Sequence, residues 1–206
     1  ANFKEIENCR VAAVVGSSQR VKDTAEKWGV PAYKSITEMV ESCDIDIVDI
    51  CTPTYTHHDL VMESLGLKKH TICEKPIALS YADAEEMLNE AEKQGVQLYI
   101  AQVLQYTKEV EFLREAVKSE CFGKPLDAYF ERLSACPRWA MDGWLFDVNK
   151  SGLLPYDLHI HDLDLIVSLF GKPQSFSCTS CQGEDKSYPE QFRVVYDYGR
   201  LHVGGE

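Results

Sequence analysis

The sequence predicts an α/β chain in which a doubly wound parallel sheet is followed by an α+β region with a mainly antiparallel sheet. Three observations carry that reading. Short β-rich apolar runs alternate with longer helical patterns from Val11 to Gln102, as in β-α units joined by right-handed crossovers. After about Gln105 that rhythm gives way to an amphipathic helix and then to runs of period two, which read as strands with one wet face. Between the two regimes, HTICEKP ends a buried strand on Glu74, Lys75 and Pro76. Proline lacks a ladder donor and pushes Lys75 out of helix. The charges are therefore held at the strand's carboxyl end, where open parallel sheets bind ligands.

The elements follow in order. VAAVV (Val11 to Val15) reads as a strand and VKDTAEKWG as a helix closed by Gly29, a residue suited to a C′ position. DIDIVDIC (Asp44 to Cys51) is a strand, THHDLVMESLG a helix and HTIC a strand. SYADAEEMLNEAEKQG opens on the N-cap candidate Ser80 and stops at Gly95, and VQLYIAQ (Val96 to Gln102) closes the series. Next come the helix EVEFLREAVKS, broken by Gly123-Lys124-Pro125, and the alternating strand PLDAYFERLSA. An irregular aromatic segment then leads into LLPYDLHIHDLDLIVSLFG, read as one helix stopped by Gly171. QSFSCTSC, QFRVVYDY and RLHVGGE complete an antiparallel meander, with a tight turn at Tyr198-Gly199-Arg200. The predicted domains are 1–102 and 103–206.

Composition narrows the function classes. With 206 residues and 45% hydrophobic content the chain fills one large core or two small ones. A formal charge of −12 without a basic run argues against nucleic acid and anionic membrane as partners, and no apolar span reaches the ~18 residues of a membrane helix. Nothing near Ala1 has a signal-peptide pattern, and the eight cysteines are spread along a chain long enough to need no staples. These features point to a soluble, cytoplasmic protein with reduced thiols. Cys178 and Cys181 form a single C-x-x-C without a second pair of ligands. Alternation along a strand is its plainer reading, and no metal is expected.

The chemistry-bearing residues fall in sequence. The strand DIDIVDIC ends in Thr52-Pro53, with His57 soon after; Lys75 lies in CEKP; Asp157, His161 and Asp164 lie in DLHIHDLDL. In TPTYTH, EKP and DLHIHDLD the chain resembles the Gfo/Idh/MocA family, relatives of glucose-fructose oxidoreductase and inositol dehydrogenase, whose members typically show T-P-x-x-x-H, E-K-P and D-x-x-x-H-x-x-D in that order. The resemblance runs over essentially the whole chain. It implies a Rossmann-like first domain and an NAD(P)-dependent oxidoreductase acting on a sugar, inositol or related polyol. It assigns catalysis to Lys75, Asp157 and His161, and it sets Thr52, Pro53, His57, Glu74 and Lys75 beside the cofactor. Relatives often self-associate through the second domain's sheet, so a homo-oligomer is implied, with RVVYDY as the candidate face.

Elementary chemistry gives the same three residues work to do. Residues four apart share a helix face, so Asp157 should orient His161 and raise its pKa. Lys75, partly desolvated at a strand end, should have a lowered pKa and donate to a substrate hydroxyl. Oxidising an alcohol requires a base for the O–H proton while hydride leaves carbon. Structural readings compete: Lys75 as a solvated charge beside Glu74, His161 as a hydrogen-bonded interface histidine, His57 as a residue that positions its loop. His159 stands where relatives often have a small residue and is expected to narrow the pocket. Trp139 and Trp144 are candidates to cover a sugar face or to pack under their loop. Glu74 is a candidate to hold the turn, and Lys75-Pro76 to be cis.

Several features depart from the resemblance. The chain has no G-x-G-x-x-G, the motif that admits a pyrophosphate at a helix N-terminus, and ANFKEIENCR reads as the tail of a helix. In the strand order 3-2-1-4-5-6 a missing first strand leaves a gap between VAAVV and DIDIVDIC. The expectation is a chain lacking its first β-α unit and ending within the second domain's sheet. Gln105-Tyr106 replaces the relatives' Arg-Phe, and Lys68 replaces a glycine, which should move the helix stop to Gly66. At the end of VAAVV, Ser17, Ser18 and Arg20 stand where NAD binders usually carry an acid. Hydroxyls with an arginine suit the extra phosphate of NADP, so the cofactor is read as NADP or NAD, tilted toward NADP. A non-catalytic sugar- or dinucleotide-sensing regulator on the same fold is the alternative function.

Overall fold

The computed structural model describes residues 2–137 and 140–206, the side chains of Asn2, Lys4 and Met141 excepted. Two compact units divide the chain. The first runs through Thr52 and adds Thr56–Cys73 and Ser80–Tyr99; the second takes Pro53–Tyr55, Glu74–Leu79 and Ile100–Glu206.

In the first unit, strands β1 (Val14–Val15) and β2 (Ala32–Tyr33) pair in parallel around helix α1 (Gln19–Trp28). Helix α2 (Ile36–Ser42) leads to β3 (Ile47–Ile50), helix α3 (His57–Gly66) to β4 (His70–Cys73) and helix α4 (Tyr81–Gln94) to β5 (Leu98–Ile100). β3 and β4 are parallel, and the sheet order is β3-β4-β5. Among the described residues β1-β2 and β3-β4-β5 are separate sheets.

The caps explain where these helices begin and end. Ser18 accepts from the Val21 N–H and Ser80 from the Asp83 N–H, satisfying donors that the first turn leaves without partners. Gly29 and Gly95 close α1 and α4 in the left-handed region at φ 68° and 69°. β2 and α2 were not foreseen, although Ser35-Ile36-Thr37-Glu38 has the capping-box pattern: Ser35 accepts from the Glu38 N–H at 3.1 Å, while Glu38 accepts from the N–H of Lys34, one residue before the cap, at 2.8 Å. Residues Asn2–Glu5 form a short 3-10 turn rather than the tail of an α-helix. Helix α3 does end at Gly66, but the left-handed residue is Lys68, φ 58°.

In the second unit helix α5 (Lys108–Ser119) precedes β6 (Asp127–Phe130). A 3-10 turn and helices α6 (Val148–Ser151), α7 (Leu153–Asp157) and α8 (Ile160–Phe170) lead to strands β7 (Ser175–Cys181), β8 (Gln191–Asp197) and β9 (His202–Gly205). The sheet runs β6-β9-β8-β7, antiparallel at β7-β8 and β8-β9 as expected, with β6 parallel to β9. Ile166 of α8 packs with Phe192, Val194, Tyr196, Leu201 and Val203, so α8 covers one face of this mixed sheet. The expected turn forms: the Tyr198 N–H bonds to the Leu201 carbonyl, and Gly199 adopts φ 83°.

One expectation fails here. LLPYDLHIHDLDLIVSLFG is two helices, α7 and α8, separated at Leu158 and His159. Asp157 and His161 consequently do not sit on one face of a continuous helix.

Candidate active site

Lys75 reaches its position because β4 stops at Cys73 and Glu74–Leu79 packs with the second unit. The Lys75-Pro76 bond is cis, and Glu74 holds the turn by accepting from the Lys75 N–H at 3.3 Å. The Lys75 side chain is 17% exposed, and its Nζ donates both to the Asp157 carboxylate, at 2.9 Å, and to the Asp157 main-chain carbonyl, at 2.5 Å. The helix break makes that second contact possible. In a continuous helix the carbonyl of Asp157 would accept from the N–H of His161; here His161 donates to Leu158 and the ammonium takes the Asp157 carbonyl.

His161 lies in the first turn of α8, half-buried. Its Nδ1 is sealed from solvent and has no hydrogen-bond partner among the described residues. Burial first, then the positive charges of Lys75 and Arg132, hold this imidazole below the usual histidine range against the opposing pull of Asp162 and Asp157. The expected upward shift from a neighbouring carboxylate is therefore reversed, by burial first and by the two cations second. Lys75 neutralises Asp157, and Arg132 grips Asp162 through a fork of 2.9 and 2.7 Å. A neutral imidazole beside an ammonium can accept a proton while the ammonium donates a hydrogen bond.

The other candidates divide between the units. In the first, Ser17, Ser18 and Arg20 lie exposed around the N-terminus of α1, just past β1. Gly16, φ 143°, lies so close to α1 that a Cβ there would stand 2.8 Å from Val21 Cγ2. Thr52 accepts a hydroxyl bond from Thr56 at 2.7 Å, and its carbonyl accepts from His57 Nε2 at 3.0 Å. His57 is 1% exposed and ties the loop that follows β3. Pro53 and Glu74 belong to the second unit. Cys178 and Cys181 lie along exposed β7, on opposite faces of the strand.

Three side chains behave otherwise than the sequence suggested, or were missed. His159 does not narrow a pocket. It is 4% exposed, bonds through Nε2 to the Tyr196 hydroxyl at 2.8 Å and meets the Phe192 ring edge-on at 4.9 Å, against the sheet. Trp144 meets Tyr55 edge-on at 6.4 Å, whereas Trp139 lies outside the described residues. Gln105, noted as a departure from Arg, donates to the Asp164 carboxylate at 2.5 Å and accepts from Arg114 and Ser168. Arg132 was not anticipated. Its signal was a charged residue within an alternating strand-like run, which says nothing about a partner thirty residues away.

Comparison with known proteins adds the decisive observation. Residues 2–102 match the model described as "Oxidoreductase family, NAD-binding Rossmann fold", and residues 110–202 match the GFO/IDH/MocA C-terminal domain. The chain belongs to the GFO/IDH/MocA oxidoreductase family. It is 32% identical over 173 residues to a myo-inositol 2-dehydrogenase of Thermotoga maritima, covering 83% of this chain and 50% of that one. A 2,7-anhydro-N-acetylneuraminate hydratase of Escherichia coli is 31% identical, covering 67% and 37%. Among solved structures, a probable dehydrogenase from Thermotoga maritima superimposes with a TM-score of 0.85 at 27% identity, covering 100% of this chain and 63% of that one. The chain thus spans about half the length, or less, of these curated GFO/IDH/MocA relatives.

Proposed function

We propose that this protein is an NAD(P)-dependent oxidoreductase that interconverts an alcohol and a ketone on a sugar, inositol or related polyol. The observation that carries the reading is the Lys75 ammonium held 2.9 Å from Asp157, with its charge felt at a half-buried, neutral His161. Lys75 hydrogen-bonds the reacting hydroxyl and polarises it. His161 Nε2 accepts the hydroxyl proton as the carbonyl forms and returns it in the reverse direction. Asp157 fixes the ammonium through two oxygens, so the lysine is oriented before substrate arrives. When bound, a nicotinamide dinucleotide supplies hydride acceptance at the carbinol carbon.

Thr52, Pro53, His57, Glu74 and Lys75 are the proposed cofactor contacts, with Ser17, Ser18 and Arg20 at the adenosine ribose. Exposed hydroxyls and a guanidinium at the N-terminus of a ten-residue helix suit a phosphate, which supports NADP over NAD. The domain division at 102/103 is part of the proposal. So is self-association through the open face of the second sheet, supported by the exposure of Tyr129 (57%) and Val195 (46%) on the face away from α8. A cytoplasmic setting is proposed as well; no helix among the described residues is long and apolar enough to cross a membrane.

The test is absorbance of reduced cofactor with full-length protein and a panel of sugars and polyols. Turnover with at least one of them is expected. Tight cofactor binding with no absorbance change across the panel would refute the dehydrogenase reading, in favour of a sensor or of chemistry without net oxidation. Fluorescence titration with both dinucleotides should show tighter binding of NADP, and a preference for NAD would overturn that choice.

A further inference from the structure

We propose that Arg132 is a positioning residue for proton transfer at His161, acting through Asp162. The proposal deepens the dehydrogenase reading and rests on it for its kinetic consequences. Arg132 follows β6, and its own N–H bonds to the Glu206 carbonyl at 2.9 Å, so its backbone is anchored beyond the paired strands. From there the guanidinium meets both oxygens of Asp162, from Nε at 2.9 Å and from Nη2 at 2.7 Å. This planar fork is a geometry that lysine cannot reproduce. Asp162 is 4% exposed and directly follows His161 in the first turn of α8.

The fork does two things at once. It pins the first turn of α8 to the strand segment, which fixes where the His161 ring projects. It also supplies the positive charge that a buried carboxylate requires. Without Arg132, that carboxylate would draw a proton onto a neighbouring imidazole and leave it charged, unable to serve as a base. The charged groups acting on His161 are Lys75 from the segment after β4, Asp157 from α7, Asp162 from α8 and Arg132 from the segment after β6. With the fork intact they form two neutral pairs.

The experiment reads His161 directly. In full-length protein labelled at histidine ring carbons, NMR titration of Arg132→Met should move the His161 midpoint up by about one pH unit. Turnover at neutral pH should fall by up to about threefold, with KM changed less than kcat, and recover at higher pH. Arg132→Lys, which retains a cation without the fork, should fold and show a smaller upward movement. Arg132→Met with Asp162→Asn should bring the midpoint back toward wild type. An unmoved midpoint in Arg132→Lys and in the double variant's parent, or activity reduced equally at every pH, would reduce Arg132 to a structural contact and overturn the proposal. The titration needs no substrate, so its failure is separable from failure of the dehydrogenase reading, which shows as absence of turnover in wild type.

Discussion

The end of α7 and the first turn of α8 each hold an aspartate against a cation, yet the two aspartates differ in solvent access and hence in the use proposed for them. The Asp157 side chain is 30% exposed, whereas Asp162 is 5% exposed at its side chain. The cations run the other way, Lys75 at 17% and Arg132 at 30%, so the contrast lies in the carboxylates, one open to solvent and the other sealed within a bidentate fork. Five residues along the chain therefore separate the ion pair proposed to meet substrate from the one proposed to support it, and the exposure of the carboxylate rather than its residue type makes the distinction.

Breaking the buried pair should have the largest effect on stability. Asp162→Ala leaves a guanidinium without its partner and is expected to cost about 3 kcal/mol, measured by denaturant unfolding. A loss below about 1 kcal/mol would place Asp162 with Asp157 rather than opposite it. His161→Ala should lower turnover about 10²-fold while leaving the unfolding midpoint nearly unchanged, and comparable rates would remove the imidazole from the chemistry. Asp157→Asn should lower turnover about tenfold and cost less than about 1 kcal/mol of stability, since its pair is partly solvated.

The histidines predict how stability varies with pH. Burial holds both His159 and His161 below the usual range, so the unfolded chain binds more protons than the folded one below about pH 6.5. Their contribution is complete above that pH and is lost as pH falls toward the folded values. His58 has the opposite sign: the bonds to Asp59 and Glu86 raise it, and its contribution is lost as pH rises through its folded value. Unfolding measured from pH 5 to 8 should therefore show an acid decline that His159→Leu makes shallower; an unchanged slope would contradict the role of burial. The smallest effect should come from Lys68→Gly. It relieves a left-handed φ of 58° and should stabilise by about 0.5–1 kcal/mol; a net loss in the same unfolding measurement would contradict the strain at this position.

What the sequence made legible was local. Ser18 and Gly29, or Ser80 and Gly95, announce a helix by chemistry confined to its own turns. DLHIHDLDL marked the site because its residue types and order, together with EKP, were distinctive. The break at Leu158 and His159 was not legible, because Leu154, Leu158, Leu165 and Leu169 keep helical spacing across it. Long-range contacts accompany that break: the ammonium of Lys75 takes the Asp157 carbonyl, and His159 turns toward Tyr196. The fork from Arg132 and the parallel pairing of β6 with β9 are long-range in the same sense. The downward shift at His161 comes from burial first and then from the two cations, and it could be inferred only once the packing around the ring was in place.

The most direct test of the central claim is the initial rate of cofactor reduction by full-length protein carrying Lys75→Met, compared with wild type on its best polyol. The account predicts a fall in kcat of about 10² or more, with dinucleotide affinity within a few-fold of wild type. A variant that turns over at a near-normal rate would show that the ammonium beside Asp157 is a structural charge and that the chemistry lies elsewhere.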